Sequence, residues 1–162
     1  FALVFLGSRK SDYGEPKYAL PDNVVHLETH YLHDDLGHHG IEVAPCAGDL
    51  TAFARVVALH ETFHQPGRPD LSSLDLLVKE LMPGGALTEK DFLHSEQAWG
   101  FITANYLRFC SDPSFVDYFW SVRIMHQPLW LLARVAHGLI PVKALHAVST
   151  GYAGFLGANL QQ

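Results

Sequence analysis

The sequence predicts an α/β domain built on an open parallel sheet, and three stretches carry that expectation. FALVFLG (1–7) is an unbroken apolar run closed by a glycine, the pattern of a strand buried on both faces of a parallel sheet. NVVHLET (23–29) is a second short strand pattern. VKALHAVST (142–150) followed by GYAGFLGANLQQ (151–162) reads as a last strand, a tight glycine turn and a helix, the βα unit of such a sheet. Ligands of open α/β sheets bind beyond the carboxyl ends of the strands.

The elements between these stretches follow from their punctuation. Residues 8–23 are polar, with glycine and two prolines, and read as a loop. HYLHDDLGHHG (30–40) is polar and histidine-rich, an exposed loop whose His38 and His39 are expected to be solvated. His26 and His30 flank the second strand and carry the same expectation. Asp49 has the character of an N-cap before LTAFARVVALHETFH, with Leu50, Phe53, Val56, Val57 and Phe63 near one face. Pro66 and Gly67 end that helix. LSSLDLLVKELM (71–82) is a further helix ended by PGG, Thr88 starts a short one, and Ser95 to Cys110 continues in helical pattern. Ser114 to Gly138 is a long aromatic-rich helical region interrupted at Pro128. Its Phe, Trp and Leu at helical spacing suit a core helix pair, with docking onto a membrane partner as the alternative.

A chain of 162 residues is long enough for one domain with a real core. Its 48% hydrophobic and 17% charged residues place it among globular proteins. The formal net charge of −6 and the scatter of lysine and arginine argue against a nucleic-acid binder, which needs clustered positive charge. Cys46 and Cys110 show no C-x-x-C spacing and are expected as reduced thiols of a cytoplasmic protein. No apolar run reaches the roughly 18 residues of a membrane-spanning helix. FALVFLG lacks the basic flank and cleavage site of a signal peptide. The chain opens without Met inside an apolar run and closes inside a helical pattern, so a piece of a longer polypeptide is expected.

HETFHQPGRPD (60–70) contains H-E-x-x-H. On a helix, His60 and His64 stand one turn apart and would hold zinc, with Glu61 as general base and Asp70 as a third ligand. Such a short pattern also arises by chance in a chain with eleven histidines. Pro66 disfavours helical geometry at Gln65, and buried parallel strands do not suit a cleft that holds peptide along an edge strand. The expectation is therefore no metal, with a surface helix end carrying two solvated histidines.

HAVSTGYAGFLGANL (146–160) is more telling. Ser149, Thr150 and Gly151 form a polar turn after the strand pattern, and free N–H groups at the next helix start would bind an anion or sugar oxygens. Gly151, Gly154 and Gly157 would equally serve close helix packing. With FALVFLGSR, YALPDNVVHLETHYL and RIMHQPLWLLARVAHGLIPVKALHAVSTGYAGFLGANL, the whole chain resembles the PelF-type glycosyltransferases of Pel exopolysaccharide synthesis, cytoplasmic retaining enzymes of glycosyltransferase family 4.

The resemblance implies a GT-B architecture, two Rossmann-like domains facing across a cleft. This chain would be an incomplete N-terminal, acceptor-side domain over residues 1–162, with a helical insertion at about 49–138. It implies a UDP-sugar donor as substrate, no tightly bound cofactor, and a polysaccharide acceptor. The partners would be the C-terminal domain of the same polypeptide and membrane-embedded synthase subunits. His146 would be the catalytic-side contact, and Ser149, Thr150, Gly151 and Tyr152 would bind substrate. Val148 stands where many family members carry a second histidine. Helix N-termini can neutralise a leaving diphosphate without a metal.

Overall fold

Two strands, β1 (Ala2–Gly7) and β2 (His26–Tyr31), pair in parallel, with Ala2 opposite His26 and Gly7 opposite Tyr31. The structure is a computed structural model that describes residues 1–15, 17–34, 44–67, 78–111 and 114–160. Among them, α-helices span Leu50–His64 (α1), Glu89–His94 (α2), Glu96–Phe109 (α3), Phe115–His126 (α4), Pro128–Gly138 (α5) and Tyr152–Asn159 (α6). Residues 78–81 are also helical, and a short 3-10 turn covers Lys10–Asp12. The fold is mixed α/β, with a small parallel sheet and a dominant helical layer.

Local chemistry sets the helix starts. Asp49 accepts from the Ala52 N–H at 2.7 Å. Thr88 and Asp91 form a reciprocal capping box, and the Ser95 and Ser114 hydroxyls accept from Ala98 and Asp117. Pro128 occupies the first turn of α5, where its missing N–H costs nothing, and so divides the aromatic-rich region into α4 and α5. Gln65 is extended before Pro66, and Gly67 takes φ 111°, so α1 stops where the sequence indicates. Asp49→Ala is expected to destabilise the chain by about 1 kcal/mol, with Asp49→Asn close to neutral. Urea denaturation followed by circular dichroism checks both.

Two apolar clusters form the core, and α5 belongs to both. The larger joins Phe53 and Val56 of α1, Phe92 of α2, Ile102 of α3, and Trp130 and Ala133 of α5. The smaller joins Leu132 and Val135 of α5 with Leu156 of α6, packed against Val4 and Leu6 of β1. Successive faces of one helix thus tie the helical layer to the sheet.

Several expectations are corrected. Among the described residues, helices cover one face of the sheet only. Val4 and Leu6 pack beneath α5 and α6, while Leu3, Phe5 and Leu27 on the other face are 40%, 41% and 50% exposed. Residues 142–150 form no strand. They run exposed between α5 and α6, and the two-stranded sheet offers them no ladder. The second strand starts at His26, three residues later than its sequence pattern. In α1 the buried side is Ala52, Phe53, Val56 and Leu59, whereas Leu50, Val57 and Phe63 are exposed. The expected helix over 71–82 is seen only at 78–81, residues 71–77 lying outside the described residues. His38 and His39 also lie outside them. Cys46 and Cys110 are both free.

Candidate functional site

The carboxyl ends of β1 and β2 are bound together by backbone. Leu32 N–H donates to Gly7 O and His33 N–H to Ser8 O, both at 2.9 Å. Lys10 N–H donates to Asp34 Oδ1 at 2.7 Å, which folds the basic Ser8-Arg9-Lys10 turn over the end of β2. A Cβ at Gly7 would come within 2.8 Å of the rings of both Tyr13 and Tyr31, so only glycine lets these aromatics close over the strand end. The sequence pointed to the carboxyl edge of the sheet but not to this turn, although a glycine closing an apolar run and followed by Arg and Lys was its signal.

Tyr152 and Phe155 of α6 pack on the Leu132, Val135 and Leu156 cluster, as do Val4 and Leu6 of β1 and Leu32 after β2. No side chain caps the N-terminus of α6, unlike those of α1 to α4. Of the residues expected to bind substrate, Ser149, Thr150 and Gly151 are exposed on the turn into α6. Tyr152 is partly buried, and its hydroxyl donates to Met125 O at 3.0 Å. Burial raises the Tyr152 pKa, so the phenol stays protonated through neutral pH. His146 is exposed in the extended segment before this turn. The three glycines have a narrower role than close packing on a sheet. A Cβ at Gly154 would press to 3.1 Å from Ser149 O, at Gly157 it would make ordinary contact with Ala147, and at Gly151 it would meet open space.

The strand histidines are not simply solvated. Glu28 on β2 sits between His26 and His30, its two oxygens 2.7 Å and 3.0 Å from their Nε2 atoms. Their alternation along the strand puts all three on one face. The two histidine hydrogen bonds hold the Glu28 carboxyl below its usual range.

The H-E-x-x-H residues face different neighbours. His60 is largely buried, which corrects the expectation of solvation. Its Nδ1 lies 2.9 Å from Val56 O, and its ring stacks on His126 with centroids 5.7 Å apart. His64 is exposed and stacks on Phe109 at 3.6 Å. Glu61 pairs with Arg108. Asp70 lies outside the described residues. Among the described residues, no three His, Cys, Asp or Glu side chains are arranged to hold a metal.

These features define a mixed α/β domain whose parallel strand pair packs on the same apolar cluster as its last described helix. Residues 1–162 match the family described as Domain of unknown function (DUF3492), and the chain belongs to that family. The domain is associated with glycosyltransferase-like proteins. No curated protein and no solved structure matches the chain. Among the described residues, no helix is long and apolar enough to cross a membrane.

Proposed function

We propose that this chain is the acceptor-side, Rossmann-like part of a PelF-type retaining glycosyltransferase, acting in the cytoplasm on a UDP-sugar and building a bacterial exopolysaccharide. The observation that carries the reading is the parallel β1–β2 pair packed on the same apolar cluster as α6, a helix whose N-terminus no side chain caps. The family match over the whole chain supports it.

In this reading the free N–H groups of α6 and the Ser149 and Thr150 hydroxyls face sugar or phosphate oxygens. His146 donates a hydrogen bond nearby. The phenol of Tyr152 is held by Met125 O and keeps its oxygen as an acceptor. Arg9 and Lys10 add positive charge at the carboxyl ends of the strands. A second domain supplies the remaining diphosphate contacts, and this one holds the acceptor in line.

UDP release by the intact protein, measured across a panel of UDP-sugars with and without acceptor oligosaccharide, tests the proposal. Turnover with one sugar is expected, and His146→Ala is expected to lower it about tenfold, the loss of roughly one hydrogen bond to the transition state. Unchanged turnover in His146→Ala would remove the role given to that residue. A folded protein without turnover on any sugar would remove the transferase reading.

One observation favours a second reading, a docking module for membrane-embedded synthase subunits. Val116, Trp120 and Ile124 recur every four residues on α4, and all three are exposed. A stable complex formed without donor sugar, and lost in Trp120→Glu, would support it.

A further inference from the structure

A partly open cavity of about 180 Å³ lies within the helical layer. Its walls are almost wholly apolar, Leu59, Leu81, Leu129 and Phe155 among them. Two histidines, His60 and His126, interrupt this lining. Trp130 also lines it, but its indole N–H donates to Leu87 O at 2.8 Å and is not free.

The tautomer of each histidine follows from its neighbour. Nδ1 of His60 lies 2.9 Å from Val56 O, and Nδ1 of His126 lies 2.7 Å from Val122 O. A carbonyl only accepts, so each Nδ1 carries the proton. Each neutral ring then has a lone pair at Nε2. Among the described residues neither Nε2 has a hydrogen-bond partner. The rings stack at 5.7 Å with a tilt of 26°, and both line the apolar cavity. Neither Nε2 is among the fully buried polar atoms that lack a partner, so both acceptors can be reached.

We propose that this cavity is a binding site for a small molecule of about one aromatic ring, bearing a single hydroxyl or N–H donor that His60 and His126 receive at Nε2. The size fits, since an apolar cavity of roughly 150 Å³ accommodates benzene. The chemistry selects against anions and sugars. The lining offers no cation and no donor, and burial keeps both imidazoles neutral. The cavity shares Phe155 with the cluster beneath β1 and the proposal does not depend on the transferase reading.

The test uses 4-fluorophenol and fluorobenzene with the intact protein at pH 8, followed by fluorine NMR. Saturable binding of 4-fluorophenol is expected, about tenfold tighter than fluorobenzene, the ratio of one added hydrogen bond. The imidazole Cε1–H signals of His60 and His126 are expected to shift on saturation in the wild-type protein, a readout that needs no variant. His126→Phe is expected to abolish the preference for the phenol. Absence of saturable binding, equal affinity for the two probes, or unmoved imidazole signals would each overturn the proposal. Should His126→Phe fail to fold, His60→Gln and the wild-type signals decide it.

Discussion

Trp130→Ala is expected to remove a large share of the chain's stability. The indole is 5% exposed, packs on Phe92 with centroids 5.3 Å apart, and donates its only N–H to Leu87 O. It stands on α5, the helix that belongs to both core clusters. Truncating a buried aromatic to alanine costs about 3–5 kcal/mol. The bare Leu87 carbonyl adds to that, and the neighbouring cavity grows rather than collapsing. Against a typical total of roughly 5–15 kcal/mol, the variant is expected to lose cooperative unfolding or to melt far below the wild type. Trp130→Phe keeps a ring against Phe92 and gives up the hydrogen bond, so it is expected to cost about 1–2 kcal/mol. Urea denaturation by circular dichroism separates the two. A Trp130→Ala variant within 1 kcal/mol of wild type would show that α5 does not hold the clusters together.

The features legible in the sequence are those decided within a few residues. Asp49, Thr88, Ser95 and Ser114 cap helices because a short side chain reaches an N–H two or three positions on, and that geometry is local. Pro128 and Pro66 act on their own helices in the same way. Residues 142–150 were illegible for the opposite reason. Their apolar spacing is that of a strand, but a strand exists only where a neighbour supplies the ladder, and no residue within the stretch encodes the neighbour. The coverage of β1 is likewise a tertiary fact. An apolar run shows that both faces can be buried, not that a helix lies on each. His60 combines both cases. Its place on α1 was readable from H-E-x-x-H, yet its burial depends on His126, which comes from a helix 66 positions later in numbering (126 − 60). The turn Ser149 to Tyr152 was correctly placed before a helix, while Arg9, Lys10 and His33 became visible only when the backbone joined the two strand ends.

Acidification is expected to destabilise the fold through the His60–His126 pair. Burial is the first cause that lowers both pKa values, and each imidazole is further disfavoured by a neighbouring one, His64 for His60 and His60 for His126. The backbone carbonyls at Nδ1 act the other way but do not prevail. In the unfolded chain both rings take up protons near the ordinary value of 6.5. The folded chain takes them up only at lower pH. Between those values the unfolded state binds more protons, so stability is complete above pH 6.5 and declines as the pH falls from 6.5 towards the depressed folded values. Glu28 acts in a separate window, its contribution present above 4.5 and lost below it. His33 shares the histidine window, lowered by burial and then by Arg9, and is the control. Urea midpoints between pH 7.5 and 5.0 are expected to fall for the wild type. They are expected to fall less for His126→Phe, which replaces one buried imidazole with an apolar ring against Phe92. His33→Gln is expected to remove a smaller part of the slope, because it leaves the stacked pair intact. If His126→Phe kept the full wild-type slope, His126 would take up its proton in the folded chain as readily as in the unfolded one, and burial of the pair would not be the source of the acid sensitivity.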